Sequence, residues 1–301
     1  MRKFDLRGQA ILVTGASSGI GRSAALVLAG RGARLAVVAR REGHLESLAE
    51  QILAAGGRPP VVLPADLSRR GAAADVAGQA VKELGHVDVL INNAGGGVGG
   101  SQWAVADGDA AREAFEINLW APLALIGALV PAMRERRSGT VVNVTSAAQT
   151  VTWPCFGTYA ATKAAFALTT ESLRLELQAS GVTVIEFIPG PVDTAVQGET
   201  RLIPGIDRLL KPLGLGSPDR AAALLVDAIE RGRERVIYPR AAAVGIALPA
   251  LGKRRARRLA ARHFTALPHE EREAFLSLAV RSGAGGDDAA REARDAWDAN
   301  R

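Results

Sequence analysis

A serine, a tyrosine and a lysine stand close together in "SAAQTVTWPCFGTYAATK" (146–163), and their types define a chemistry before any fold is assumed. Tyr159 and Lys163 are four residues apart, so on a helix they project from the same face. A free tyrosine titrates near ~10 and is a poor acid or base at neutral pH. A neighbouring ammonium favours the phenolate and should lower that pKa. Ser146, thirteen residues before Tyr159, can stabilise the oxygen of a bound molecule. Together the three suit proton exchange at a hydroxyl or carbonyl group. Alone, a Tyr-x-x-x-Lys pair is an ordinary surface feature, so its surroundings decide.

Those surroundings include "TGASSGIGR" (14–22), where Gly15, Gly19 and Gly21 lie between a strand-like run and a helical one. That is the context a dinucleotide fingerprint requires. Gly15 permits the sharp turn, Gly19 lets backbone approach a pyrophosphate, and Gly21 allows close helix packing, with the helix N-terminus offering free N–H groups. About twenty residues on, an NAD-binding protein offers Asp or Glu to the ribose 2′-hydroxyl. Here "VVARRE" places Ala39 at that position, followed by Arg40 and Arg41. A carboxylate would repel a 2′-phosphate, whereas a guanidinium binds one through paired hydrogen bonds. NADP(H) is therefore expected over NAD(H), with Arg40 the first choice and Arg41 read as the start of a solvated helix. Asp66, in "PADLS", is either an adenine contact or a helix N-terminal residue. An oxidised nicotinamide would add positive charge beside Tyr159 and lower its pKa further. No metal site is expected.

The elements that position these residues alternate. Strand-like runs are "AILVTG", "RLAVVAR", "PVVLPAD", "VDVLINNAG", "TVVNVTS", "VTVIEFIPG" and "RVIYP", separated by helical patterns such as 43–55, 109–137, 157–180 and 217–231. Strands apolar throughout imply burial on both faces, and βαβα order implies a parallel sheet. The expectation is an α/β, doubly wound Rossmann fold of about seven strands with helices on both faces. Pro122 should kink helix 109–137 without ending it. Residues 1–240 form the catalytic domain in this reading, and 241–301 a helical C-terminal extension without a clear strand.

With these motifs in place the chain resembles a short-chain dehydrogenase/reductase of the compact type. "TGASSGIG", "NNAG" (92–95), "YAATK" and "PGPVDT" (189–194) occur in that family's order. The resemblance implies a tetrad of Asn118, Ser146, Tyr159 and Lys163, with Asn118 holding a water that links the lysine to solvent. It implies a cofactor lined by Ser17, Ser18 and Ile20 of the loop, Leu67 beside Asp66, and Asn93, Ala94 and Gly95. Pro189, Gly190, Val192 and Thr194 would complete it, the last two near the carboxamide. Lys163 would also bond the ribose. It further implies hydride transfer between nicotinamide and a carbonyl or secondary alcohol, and homodimers or homotetramers through helices 109–137 and 157–180. One departure is Ser18, where NADP users of the family often carry a basic residue.

The substrate would lie near Trp153, Cys155 and Phe156, under the segment from Ala195 to about Gly216, whose apolar content favours an apolar carbonyl. The glycine-rich "GGVGG" (96–100) reads as a mobile rim. The single cysteine, Cys155, is a packing residue in this reading and cannot form an internal disulfide. With no secretory signal evident, a cytoplasmic location is expected. The net charge of +6 comes mostly from "GKRRARRLAARH" (252–263), without a zinc-finger, helix-turn-helix or RRM pattern, which argues against nucleic acid. The apolar "AAAVGIALPALG" before it can make weak contact with anionic lipid, although a solvated helix packed on the core is the plainer reading. A membrane-surface reductase and a non-catalytic NADP-binding sensor are the alternatives. A nucleotide-sugar epimerase also uses Tyr and Lys but needs a larger substrate domain.

Overall fold

The computed structural model describes residues 4–151, 153–194, 214–266, 268–277 and 280–282. Seven parallel strands form one sheet: β1 (Ala10–Thr14), β2 (Arg34–Ala39), β3 (Val61–Pro64), β4 (Val89–Asn92), β6 (Gly139–Val144), β7 (Val182–Pro189) and β8 (Arg235–Tyr238), in the order β3-β2-β1-β4-β6-β7-β8. The order reverses beside β1, and the ligand-binding crevice of such sheets opens at that switch point, outside the strands' carboxyl ends. Successive residues of one strand feed opposite cores. Ile11 and Val13 pack with Leu28, Leu45, Leu48 and Leu225, from α1 (Gly19–Gly30), α2 (Glu42–Ala54) and α8 (Pro218–Arg231). Ala10 and Leu12 pack with Ala77, Leu125, Leu129 and Met133, from α3 (Ala72–Leu84) and α6 (Ala121–Glu135). Burial on both faces is why these strands read as unbroken apolar runs.

The long α7 (Gly157–Glu176) packs on the second core through Leu173, while the short α4 (Gln102–Val105) and α5 (Asp109–Phe115) form a small separate cluster in which Val105, Ala111 and Ala114 meet Val98. The span Asp109–Glu135 is long and apolar enough to cross a membrane, but half of its most apolar window is buried inside the protein. Pro122 does not simply kink it. A π turn, Glu116–Trp120, joins α5 to α6 and ends just before the proline. Pro122 has no N–H to give the Asn118 carbonyl, so the i→i−4 ladder fails there and the chain takes a wider turn.

The extension continues from a 3₁₀ turn (Arg240–Ala242) into α9 (Ala243–Ala247), α10 (Pro249–Ala266) and α11 (His269–Ser277). It also contains a strand, contrary to expectation. β9 (Val280–Ser282) pairs antiparallel with β5 (Gly97–Gly99), matching Val98 to Arg281. Three residues carry too little period-two pattern to be read as a strand; pairing makes them one. The "GGVGG" rim is thus part of a small sheet, with Val98 buried.

Candidate active site

The loop after β1 is held by neutral hydrogen bonds. Thr14 Oγ1 accepts from the N–H groups of Asn93 and Ala94, both at 3.0 Å, and donates to the Ile91 carbonyl at 3.1 Å. Asn93 Nδ2 donates to the carbonyl of Thr14 at 2.9 Å and of Gly15 at 3.3 Å. The "NNAG" turn therefore locks β4 to the glycine loop. That closeness is what the glycines permit. A Cβ at Gly21 would stand 2.3 Å from the Gly15 carbonyl oxygen and 2.4 Å from Asn93 Nδ2. Gly19 sits at φ +56°, and a Cβ there would come within 2.9 Å of Thr194. Gly19, Thr194, Arg22, Ser23, Asp193, Pro218 and Asp219 line an open cleft at the N-terminus of α1. The cradle fits a dinucleotide's pyrophosphate: close backbone, free N–H groups, and space that any side chain would fill.

At the end of β2, Arg41 reaches back to the glycine loop. Arg41 Nη2 donates to Ser17 Oγ at 3.3 Å and to Ser18 Oγ at 3.4 Å, so its guanidinium leans over the phosphate loop rather than into solvent. Arg41 caps the start of α2, and its backbone directs it across the loop; sequence order alone could not show that. Arg22, by contrast, turns away to the His44 carbonyl, Ser47 and Gln51. Asp66 Oδ1 accepts from the N–H and hydroxyl of Ser68, a local turn contact, and Leu67 is buried in the core. Ile20 and Val192 are also core residues, and Val192 forms a bridge with Gly216. Pro189 ends β7, and the Gly190 N–H donates to the Tyr238 carbonyl at 2.7 Å.

Ser146 follows β6 and opens a short 3₁₀ turn, Ala147–Gln149, whose Ala148 N–H it accepts at 3.2 Å. α7 carries Tyr159 and Lys163 one turn apart on one side. The Tyr159 hydroxyl is hydrogen-bonded to Ser146, and the Lys163 Nζ lies 6.0 Å from the tyrosine ring centre. Lys163 is only 4% exposed, and its Nζ donates to the Val144 carbonyl at 3.2 Å. Burial holds its pKa down at about 8. Burial also pushes the Tyr159 phenol above its ordinary value, with the Ser146 bond opposing that rise. The net shift is thus upward, opposite to the lowering expected, because desolvation of the phenolate outweighs the Ser146 hydrogen bond.

Asn118 lies in the π turn. Its Nδ2 donates to the Gly96 carbonyl at 2.6 Å and its Oδ1 accepts the Gly96 N–H at 3.2 Å. Gly95 fits between them: a Cβ there would stand 2.9 Å from Asn118 Oδ1 and 3.4 Å from Lys163 Nζ. All four tetrad residues therefore converge on the carboxyl ends of β4 and β6. Trp153 and Cys155 are buried, and Phe156 meets Tyr159 edge-on, ring centres 6.3 Å apart. Burial raises the Cys155 thiol to about 11, which suits packing rather than nucleophilic chemistry. The segment expected to cover the substrate, 195–213, lies outside the described residues.

Behind the site, Asn92 bridges strands as the "NNAG" motif suggested, whereas sequence reasoning missed Asn143, Thr170 and Glu186. Asn92 Nδ2 donates to Asn143 Oδ1, and Asn143 Nδ2 to Thr170 Oγ1, both at 2.9 Å, tying β4, β6 and α7 together. Glu186, 1% exposed on β7, accepts from Thr145 Oγ1 at 3.1 Å and Gln149 Nε2 at 3.0 Å, on either side of Ser146. Arg235 Nε pairs with its other oxygen at 2.9 Å. A charged residue inside the apolar run "VTVIEFIP" was the available signal.

Residues 9–202 match the family model for short chain dehydrogenases. A short chain dehydrogenase of Pseudocercospora fijiensis is 40% identical over 191 residues, covering 63% of this chain and 62% of that protein. The chain spans about three fifths of the length of the first curated relatives it matches. A short-chain dehydrogenase/reductase of Burkholderia phymatum, solved in complex with NAD, superposes with a TM-score of 0.72 at 26% identity, covering 88% of this chain and 99% of that one. A metagenomic short-chain oxidoreductase, solved with NADP, gives 0.66 at 28% identity, covering 78% and 97%. Fold, motif order and these matches agree: the chain belongs to the short-chain dehydrogenase/reductase family.

Proposed function

We propose that the chain is an NADP(H)-dependent oxidoreductase that interconverts an apolar carbonyl compound and its secondary alcohol, with Tyr159 exchanging the proton. The observation that carries this reading is the Ser146–Tyr159–Lys163 set, with the lysine buried and the other two half-buried, one strand away from a glycine loop shaped for a pyrophosphate. When bound, the nicotinamide supplies or accepts the hydride. Ser146 Oγ and Tyr159 Oη both address the substrate oxygen. With its phenol held protonated by burial, Tyr159 is ready to donate to a developing alkoxide, the reductive direction. Lys163 supplies positive charge beside the phenol and a donor for the ribose. A water at the Asn118 carbonyl, whose α-helical partner Pro122 cannot provide, would pass protons from Lys163 to solvent.

Solved relatives with NAD and with NADP leave the choice of cofactor to this chain's own residues. Ala39 offers no carboxylate, and Arg41 on Ser17 and Ser18, with Arg40 beside it, makes a cationic seat for a 2′-phosphate. Apolar Trp153, Cys155 and Phe156 around Tyr159 favour an apolar substrate. Exposed Trp120, Leu168 and Leu175 on the two long helices support a homo-oligomer.

The test is a fluorescence titration with NADPH and with NADH. NADPH should bind at least tenfold more tightly, and Arg41→Ala should remove most of that preference. Preference for NADH would overturn the cofactor assignment and leave the proton chemistry standing.

A further inference from the structure

We infer that helix α10, with the end of α9, is a docking face for the anionic surface of a lipid bilayer. The two sides of α10 differ in kind. Gly252, Ala256, Ala260 and Phe264 recur every four residues and are half-buried, forming the side turned to the protein. A Cβ at Gly252 would stand 2.8 Å from Val151 Cγ2 and 3.2 Å from Gly245, so the contact is close. On the opposite side Arg254, Arg255, Arg258 and Arg262 are exposed, as are Lys253 and Arg257 on the flank. From 241 to 268 the sequence has these six cations and no Asp or Glu.

The apolar component decides between anionic partners. Leu251 lies on the cationic side and is 55% exposed, next to Leu248 at 55% and Val244 at 61%. A nucleic acid would neutralise the arginines but leave these three side chains in water. A bilayer takes both: headgroup charge meets the guanidinium groups, and the apolar end enters the acyl boundary. The Gly252–Val151 contact seats the inner side of α10 on a residue five positions after Ser146, so docking through the outer side brings the catalytic segment near the membrane, where an apolar carbonyl would be concentrated. The binding claim itself does not rest on the proposed catalysis.

The full chain is sedimented with phosphatidylcholine vesicles and with vesicles in which a third of the lipid is phosphatidylglycerol. Binding to the anionic vesicles alone, weakened by salt, is expected. Replacing Arg254, Arg255, Arg258 and Arg262 together by Ser should cut it on the order of 100-fold. Leu248→Ser with Leu251→Ser should cut it roughly tenfold. Both variants should keep the wild-type circular dichroism and NADPH affinity, which shows that they fold. No binding to either vesicle, or binding indifferent to the four arginines, overturns the inference. Stronger binding to duplex DNA, unaffected by the two leucine changes, assigns the face to nucleic acid and overturns it too. Binding that appears only after residues 283–301 are removed assigns the face to the chain's own acidic segment, which likewise overturns it. A lack of turnover alongside vesicle binding would count against the catalytic reading alone.

Discussion

The glycine-loop end of the sheet and the catalytic end are built from different materials. Where the glycine loop meets the "NNAG" turn the ties are neutral: the Thr14 hydroxyl, the Asn93 amide and main-chain groups, packed so closely that glycine is required. Around β6 and β7 two ionisable groups are buried, Lys163 at 4% and Glu186 at 1% exposure. Neutral hydrogen bonds stabilise across the whole pH range, whereas a buried charge is costly unless paired. Glu186 has Thr145, Gln149 and Arg235 as partners; Lys163 has the Val144 carbonyl and is held for chemistry instead. The first end is rigid by geometry; the second, under the proposed function, accepts instability in exchange for a proton-handling group.

The contrast can be broken most sharply at Tyr159. Tyr159→Phe should reduce carbonyl reduction by about 10³-fold or more, equivalent to about 4 kcal/mol of barrier, while NADPH affinity stays within twofold. Steady-state kinetics beside cofactor titration checks both. Normal turnover would sink the mechanism. At the neutral end, Gly21→Ala forces a Cβ against the Gly15 carbonyl and Asn93, and should cost about 3 kcal/mol in urea unfolding.

Lys163→Met should do the opposite to stability. A folded-state pKa near 8, down from 10.5, means that the folded protein sheds this proton before the unfolded chain does. Stability should therefore rise with pH between about 8 and 10.5, and the cost of the charge is fully present below 8. Removing the amine should stabilise the protein by about 2 kcal/mol at pH 7, with activity lost, and the gain should shrink by pH 10. Thermal melts across that range decide it. A variant less stable than wild type at pH 7 would refute the account of Lys163. Smallest is Glu186→Gln, which keeps an acceptor but loses the charge facing a half-exposed Arg235. About 1 kcal/mol of stability should go, read by denaturant midpoint.

What was legible in the sequence divides along the same line. The seven strands could be read because burial on both faces leaves an unbroken apolar signature, and the glycines because only they fit the loop. Tyr159 and Lys163 could be set side by side because helix geometry converts a four-residue spacing into one face. Thr14, Asn143 and Glu186 could not be placed, since their roles depend on which strands become neighbours. The reach of Arg41 to Ser17 and Ser18 depends on a backbone direction at the end of β2. Pairing of β5 with β9 joins segments far apart in sequence, and neither has a pattern of its own. Tyr159 shifts against expectation because the lysine's charge is visible in the sequence, whereas the burial that raises the phenol comes from the fold.

The place of β1 in the sheet has a kinetic consequence. β1 is synthesised before both of its sheet neighbours, β2 and β4, and its β4 partners Val89–Ile91 come almost eighty residues later. At about 5–20 residues per second, an apolar strand edge waits roughly 4–16 s for its partner to be translated. The emerging chain is thus a client for whatever shields strand edges near the ribosome, and codon usage over residues 15–92 sets how long that need lasts.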